Sequence, residues 1–290
     1  MNLLHILILA IVQGLTELLP VSSSAHVVVT EKLLGLDPSS PAMTLLLVML
    51  HTGTMFAVIV YFWRQWRATF FSSAAAFKSF AVLIILATVL TGVIGEAIVK
   101  IIERTAFRGA PHAEIEDLFS HLELIAPALA AAGILILIAG IFEKRSAARR
   151  PFDQVNDLNA KQAGIIGAVQ GLCLPFRGFS RSGATISTGM LLGVAKERAE
   201  SFSFALAVVL TPAVVAREVM RLVRAEHISG TASFASAAFP SLIGAVFAFL
   251  AGLVALKWLS RWLEGGRWYL FGIYCLIAAA GVFYLHHLGY

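Results

Sequence analysis

Val12-Gln13-Gly14-Leu15-Thr16-Glu17-Leu18-Leu19-Pro20-Val21-Ser22-Ser23-Ser24-Ala25-His26 is the stretch that decides the fold. It returns in altered form as Val169-Gln170-Gly171-Leu172-Cys173-Leu174-Pro175-Phe176-Arg177-Gly178-Phe179-Ser180-Arg181-Ser182-Gly183-Ala184-Thr185. Both copies run V-Q-G-L, then L-P, then a serine cluster. Gly and Pro stop helices, so each copy interrupts an apolar run. Broken hydrophobic segments at matching positions in two halves are the sequence sign of a membrane protein with internal repeats and a site between them.

Composition agrees. The chain of 290 residues is 59% hydrophobic and 13% charged, against about 25% charge in a soluble domain. Mean hydropathy is +0.84. Runs of roughly 20 apolar residues suffice to cross a bilayer. Six are read here as spanning helices: Met43–Trp63, Phe80–Ile102, Leu122–Phe142, Phe202–Ala216, Leu242–Leu259 and Trp268–Leu285. The expected fold class is all-α integral membrane, with these six spans, two re-entrant helical hairpins and an inverted-topology repeat. Residues 1–144 form one half, 145–161 a cytoplasmic connector and 162–290 the other half, all in one membrane domain.

The net charge of +5 is no sign of a nucleic-acid partner, because the basic residues sit mostly in loops and set orientation there. The loops with Arg64 and Arg67, and with Lys144, Arg145, Arg149 and Arg150, read as cytoplasmic. The loop between them carries Glu103, Glu114, Glu116 and Asp117 against Arg104 and Arg108, and reads as external. Arg217, Arg221 and Arg224 fall in an expected external loop, against the trend. Cys173 and Cys275 lie in apolar segments and are expected as buried free thiols. The N-terminus lacks the pattern of a removable signal peptide.

Met1–Leu19 and Ala163–Leu174 are too short and interrupted to span. Each precedes a Pro, a serine cluster and a second short apolar stretch, Ala25–Leu36 and Ala184–Ala195. The simplest structure is a hairpin that enters and leaves the membrane on one side. The charge pattern makes the first hairpin open outward and the second inward, so their tips meet near mid-membrane. Irregular backbone at that depth is tolerated only where it is buried or lines a wet cavity.

The tips carry the chemistry. Gln13 and Glu17, four residues apart, share a helix face. A carboxylate inside a bilayer is a functional candidate by default, although pairing with a structural arginine would also explain Glu17. Ser22, Ser23 and Ser24 follow Pro20, and any one of them can serve as a helix cap. With Glu17 before them and His26 after them, the cluster reads as reactive. In the second tip, Gly178 to Thr185 reads as a glycine-flanked loop opening a helix, where backbone N–H groups bind anions. Arg181 adds a planar fork for phosphate oxygens, and Ser180, Ser182 and Thr185 add hydroxyls. No nucleotide P-loop is present. Together the tips suit phosphoryl transfer, in which positioning and charge neutralisation do most of the catalysis. A divalent cation, Mg²⁺ or Ca²⁺, bridging Glu17 and phosphate would borrow further ligands from substrate and water.

These two motifs resemble those of the bacitracin-resistance-type undecaprenyl-diphosphate phosphatases of bacterial membranes. The resemblance spans the chain. It implies a multi-pass enzyme of the bacterial inner membrane, with its active site open to the periplasmic side. It implies removal of the terminal phosphate from a C55 isoprenyl diphosphate, which recycles the carrier lipid of cell-wall synthesis. Carried over by position, it gives Gln13 and Glu17 roles in metal and water placement. Ser23 becomes the candidate nucleophile with Ser22 beside it, and His26 the acid/base or an alternative nucleophile. Ser180, Arg181 and Thr185 become diphosphate holders. Two positions depart from the family pattern: Ala25 stands where Gly is usual, and Phe176-Arg177 separates Pro175 from Gly178. Arg177 becomes a further candidate phosphate contact, or a residue that shifts preference toward another polyprenyl or lipid phosphate. The partners expected are the lipid diphosphate and the bilayer, and a homodimer is one arrangement the sequence allows. Two other classes compete with the enzyme. A lipid-phosphate transporter or flippase would use the same inverted-repeat site but needs no hydroxyl beside an acid/base. A structural subunit leaves Glu17 and Arg181 without purpose.

Overall fold

Ten α-helices and no strand make up the described residues of the computed structural model, which are 2–37, 40–106, 121–147, 158–229, 234–263 and 267–290. In chain order these are α1 (Leu3–Leu18), α2 (Ser23–Leu33), α3 (Pro41–Thr69), α4 (Ala74–Ala106), α5 (Leu122–Ala147), α6 (Ala160–Cys173), α7 (Arg181–Leu191), α8 (Lys196–Ser229), α9 (Phe234–Leu263) and α10 (Tyr269–His287). The order short, short, long, long, long therefore occurs twice.

The six long helices α3, α4, α5, α8, α9 and α10 are apolar and long enough to cross a membrane, matching the six expected spans. The shortest, α10, has 19 residues, about 28 Å at 1.5 Å per residue, close to the roughly 30 Å of a hydrocarbon core. By the same rise α1, with 16 residues, and α2, with 11, reach only about 24 and 16 Å. Asn2 caps α1 by accepting from the His5 N–H at 2.9 Å, and Asn159 with Gln162 forms a capping box on α6. These caps satisfy backbone donors that the first turn leaves open.

One expectation fails here. Arg217, Arg221 and Arg224 belong to no loop, because α8 continues through them to Ser229. Arg, Glu, Met and Leu are good helix formers whatever their hydropathy, so the apolar window ends before the helix does. Arg108, Glu114, Glu116 and Asp117 of the expected external loop lie outside the described residues, as do Arg149, Arg150 and most of the connector.

Packing repeats with the element order. The short helices pack as α1 on α2 and α6 on α7. Each first short helix then lies on a long helix of the other half, α1 on α9 and α6 on α4. Likewise α3 packs on α9 and α8 on α4, while α3 with α8 and α5 with α10 close the bundle. The glycine of each V-Q-G-L copy makes its contact possible. A Cβ on Gly14 would stand 2.9 Å from the Ala248 carbonyl oxygen, and one on Gly171 2.7 Å from that of Thr91. Small residues at such crossings are how helices associate where lipid removes the hydrophobic drive. Val28, Leu129, Ile136 and Ile186 build one apolar core around α2, α5, α7 and α10. Phe62, Trp66, Ile166 and Phe202 build a second under α3, α6 and α8. The outer surface stays apolar too: Phe56, Val89, Ile134, Val254 and Ile277 are all exposed, as a bilayer solvent requires.

Candidate active site

Each short pair is joined by a turn with the same backbone device. Ser22, directly before α2, has φ 66°, and Ser180, directly before α7, has φ 31°. They are the two non-glycine residues with positive φ among the described residues. Such conformations cost on the order of 1–3 kcal/mol each and persist where surrounding structure enforces them, often at functional sites. Ala25, where glycine is usual in the resembled family, sits inside α2 and is buried. The positive φ lies at Ser22 and not at Ala25, so alanine fits. In the second turn, the Phe176 N–H bonds the Cys173 carbonyl and the Phe179 N–H bonds the Phe176 carbonyl. Two tight turns thus absorb Phe176 and Arg177. Gly178 needs to be glycine on two counts, a φ of +105° and an Ile125 carbonyl oxygen 2.6 Å from where a Cβ would stand.

The tips meet. Ser24 Oγ accepts from the Gly178 N–H at 3.3 Å and lies 3.2 Å from Ser22 Oγ. Ser182 Oγ donates to the Leu19 carbonyl at 3.4 Å. The centre of the junction is Glu17, which is buried. Its Oε1 accepts from Arg181 Nη2 at 2.6 Å, although the two residues are 164 positions apart. Its Oε2 accepts from Gln13 Nε2 at 2.9 Å and from Ser23 Oγ at 2.5 Å. His51 Nε2 of α3 stands 3.3 Å from the same oxygen. His51 Nδ1 is 2.8 Å from the Leu47 carbonyl, to which it must donate. The contact with Glu17 is therefore favourable when Nε2 carries a proton as well. A buried carboxylate with three donors, and a fourth when His51 is protonated, is held as an anion.

His26 takes a different place. Its Nδ1 lies 2.8 Å from the Ser22 carbonyl and its Nε2 2.7 Å from the Tyr274 hydroxyl of α10. The hydrogen of Ser23 points to Glu17, so the carboxylate, and not His26, is hydrogen-bonded to the candidate nucleophile. Ser180 caps α7 by accepting from the Gly183 N–H. Thr185 is fully buried, donates to the Arg181 carbonyl and meets Ser203 Oγ of α8 at 2.6 Å. Its hydroxyl ties α7 to α8, away from the Glu17 cluster. Gln170, the repeat counterpart of Gln13, bonds Thr91 Oγ1 at 3.4 Å. The second copy has thus kept the glutamine for packing, with Leu174 at the position matching Glu17.

Sequence reasoning missed His51 and Tyr274. His51, followed by Thr52 and Thr54, otherwise lies in an apolar run, and Tyr274 is flanked by apolar residues. The signal was available for His51, since an ionisable side chain inside a span is a functional candidate. Among the described residues no three His, Cys, Asp or Glu side chains are arranged to hold a metal. One atom nevertheless fits a cation: Gln13 Oε1 is buried and has no hydrogen-bond partner. Once Arg181 leaves Glu17 Oε1 for a phosphate, that oxygen and Gln13 Oε1 would offer two hard donors, which suits a Mg²⁺ or Ca²⁺ that completes its shell with phosphate and water.

Known proteins share this sequence over nearly its whole length. The chain is 58% identical to undecaprenyl-diphosphatase 2 of Acinetobacter baylyi, covering 97% of each chain. It is 32% identical to undecaprenyl-diphosphatase 2 of Burkholderia ambifaria, over 98% of this chain and 96% of that one. It is 33% identical to undecaprenyl-diphosphatase 1 of Burkholderia pseudomallei, over 96% and 95%. The family model described as bacitracin resistance protein BacA matches residues 6–281, and this chain belongs to that family.

Proposed function

We propose that the protein hydrolyses undecaprenyl diphosphate, a C55 polyprenyl diphosphate, to the monophosphate and inorganic phosphate. One observation carries this reading: Glu17 of one tip accepts from both Ser23 and the distant Arg181 of the other. A hydroxyl, a base and a phosphate-gripping fork converge in one buried cluster.

In this reading both short pairs are re-entrant hairpins of an inverted repeat, and their tips form the diphosphate pocket near mid-membrane. The pocket opens to the periplasmic face of the inner membrane, while the prenyl tail stays in lipid. The diphosphate draws Arg181 from Glu17 Oε1 onto its own oxygens. Glu17 loses a cationic neighbour and becomes a better base for the Ser23 proton already directed at it. Ser23 Oγ attacks the terminal phosphorus, the proton passes to Glu17, and the lipid monophosphate leaves as the P–O bond breaks. Arg177, the Gly178 N–H and the Ser22, Ser180 and Ser182 hydroxyls surround the phosphates. A divalent cation would be held by Gln13 Oε1 and Glu17 and would supply neutralisation of phosphate charge.

The test is phosphate release by purified protein from C55 diphosphate, with and without chelator, across shorter prenyl chains. Release that falls on chelation and recovers with Mg²⁺ or Ca²⁺ is expected. A well-folded protein that releases none overturns the activity.

A further inference from the structure

Two nitrogen atoms decide what His26 can do. Its Nδ1 lies 2.8 Å from the Ser22 carbonyl oxygen, one helical turn back. A carbonyl only accepts, so Nδ1 carries a hydrogen. In the neutral ring Nε2 is then the acceptor, and the atom facing it at 2.7 Å is the Tyr274 hydroxyl. Tyr274 donates its O–H to Nε2. The two rings lie 9° from parallel with centroids 5.7 Å apart. Ser23 meanwhile gives its hydrogen to Glu17. The basic nitrogen of His26 is thus held by a tyrosine from α10.

We propose that Tyr274 is a positioning residue of the reaction: its hydroxyl holds His26 in the Nδ1–H tautomer with Nε2 kept as a base, and gives up its place there to the water that hydrolyses the phosphoserine. This rests on Ser23 as nucleophile. The step balances. Water oxygen attacks phosphorus and its proton passes to Nε2. The P–Oγ bond breaks, and Glu17 returns to Ser23 Oγ the proton it took. Inorganic phosphate leaves, and the imidazolium releases its proton to solvent. A tyrosine hydroxyl and an attacking water make the same hydrogen bond to Nε2, so one substitutes for the other.

A donor at Nε2 favours the neutral ring over the imidazolium. Removing it makes His26 easier to protonate. Among the titratable and charged groups on the elements around it are Glu17 on α1, Glu31 and Lys32 on α2, His51 on α3, Glu123 on α5, Arg177 and Arg181 on the second tip, and Tyr274 and Cys275 on α10. Tyr274→Phe alters one hydroxyl among them. The expected result is a loss of kcat of about two- to tenfold near pH 6, the worth of one neutral hydrogen bond. The loss shrinks as pH rises, so the acid limb of the profile moves to higher pH while KM holds. A merely structural role lowers the profile in parallel, and that result, or an unmoved profile, overturns the proposal. A second readout needs no turnover: carbethoxylation of His26, followed by mass spectrometry against pH. In Tyr274→Phe the unblocked Nε2 should react faster at pH 8, with a higher half-maximal pH. Identical rate and pH in both proteins overturn the role of Tyr274 even if the wild type releases no phosphate, a failure that would instead strike the proposed activity.

Discussion

Glu17 shows how a charge is kept inside a membrane protein. A carboxylate has about four lone-pair sites, and here donors from Gln13, Ser23 and Arg181 stand at three of them, with His51 beside Oε2 as a fourth when its ring is protonated. Removing one leaves the rest of the ring in place but weakens the anion. Arg181→Lys keeps the positive charge and loses the planar fork. Its kcat/KM for the diphosphate should fall about 10- to 100-fold, as expected for one charge-assisted hydrogen bond of roughly 1.5–3 kcal/mol. Near-normal kinetics would show that Arg181 acts as a point charge only. His51→Leu takes one donor from Oε2 while preserving apolar bulk in α3. Its kcat should drop about tenfold or more, with normal yield and melting, because Gln13 and Ser23 still hold the carboxylate. The sequence made Glu17, Ser23 and Arg181 legible because each stands in a polar cluster that breaks an apolar run. His51 and Tyr274 stand in helices that continue unbroken through them. Their partners, Glu17 and His26, come from other helices, and no local pattern records a contact across 34 or 248 residues.

At the scale of the helix, hydropathy located all six spans because lipid sets their length and composition together. It misjudged the end of α8, where Arg and Glu prolong a helix beyond the apolar stretch. It also placed the starts of α2 and α7 two or three residues late, since Ser23 and Arg181 already belong to the helices. Polar residues at a helix start read as loop unless the cap is recognised. The repeated glycines were legible as breakers but act as spacers. A Cβ at Gly171 would meet the Thr91 carbonyl at 2.7 Å, Ile94 Cβ at 3.0 Å and the Gly95 nitrogen at 3.1 Å. Backbone cannot yield as a flexible side chain does, so α6 would be levered off α4. Gly171→Ala should cost about 1–3 kcal/mol, read as a drop of several degrees in melting temperature in detergent. Gly92 on the same α4 has nothing within 4 Å of its Cβ position. Gly92→Ala should melt at or slightly above the wild-type temperature, as helix propensity favours alanine. Equal losses for both would mean that helix spacing is not what Gly171 provides.

Across the whole molecule, the two halves must join without stranding charge in a medium that solvates none. Glu17 meets that demand through donors from both halves. Glu31 does not. It lies near the C-terminal end of α2, outside the six spans, fully buried, with neither carboxylate oxygen hydrogen-bonded. Burial pushes its carboxyl up to about 7; the nearby Arg177 charge opposes this and Asp37 adds to it. The consequence for stability has a definite sign. Below about pH 4.5 the group is protonated in folded and unfolded chains alike and contributes nothing. Between about 4.5 and 7 the unfolded chain ionises while the folded one keeps its proton, so stability falls as pH rises. The loss is complete once pH passes the folded value, and amounts to on the order of 3 kcal/mol. Glu31→Gln removes the titration and keeps the shape. In thermal melts in detergent it should raise the melting temperature by several degrees at pH 8 and leave it unchanged at pH 4.5. A variant that melts with the wild type at both pH values would mean that Glu31 is solvated or paired when charged. The junction between the α1–α2 pair and the Arg177 loop would then tolerate a carboxylate there.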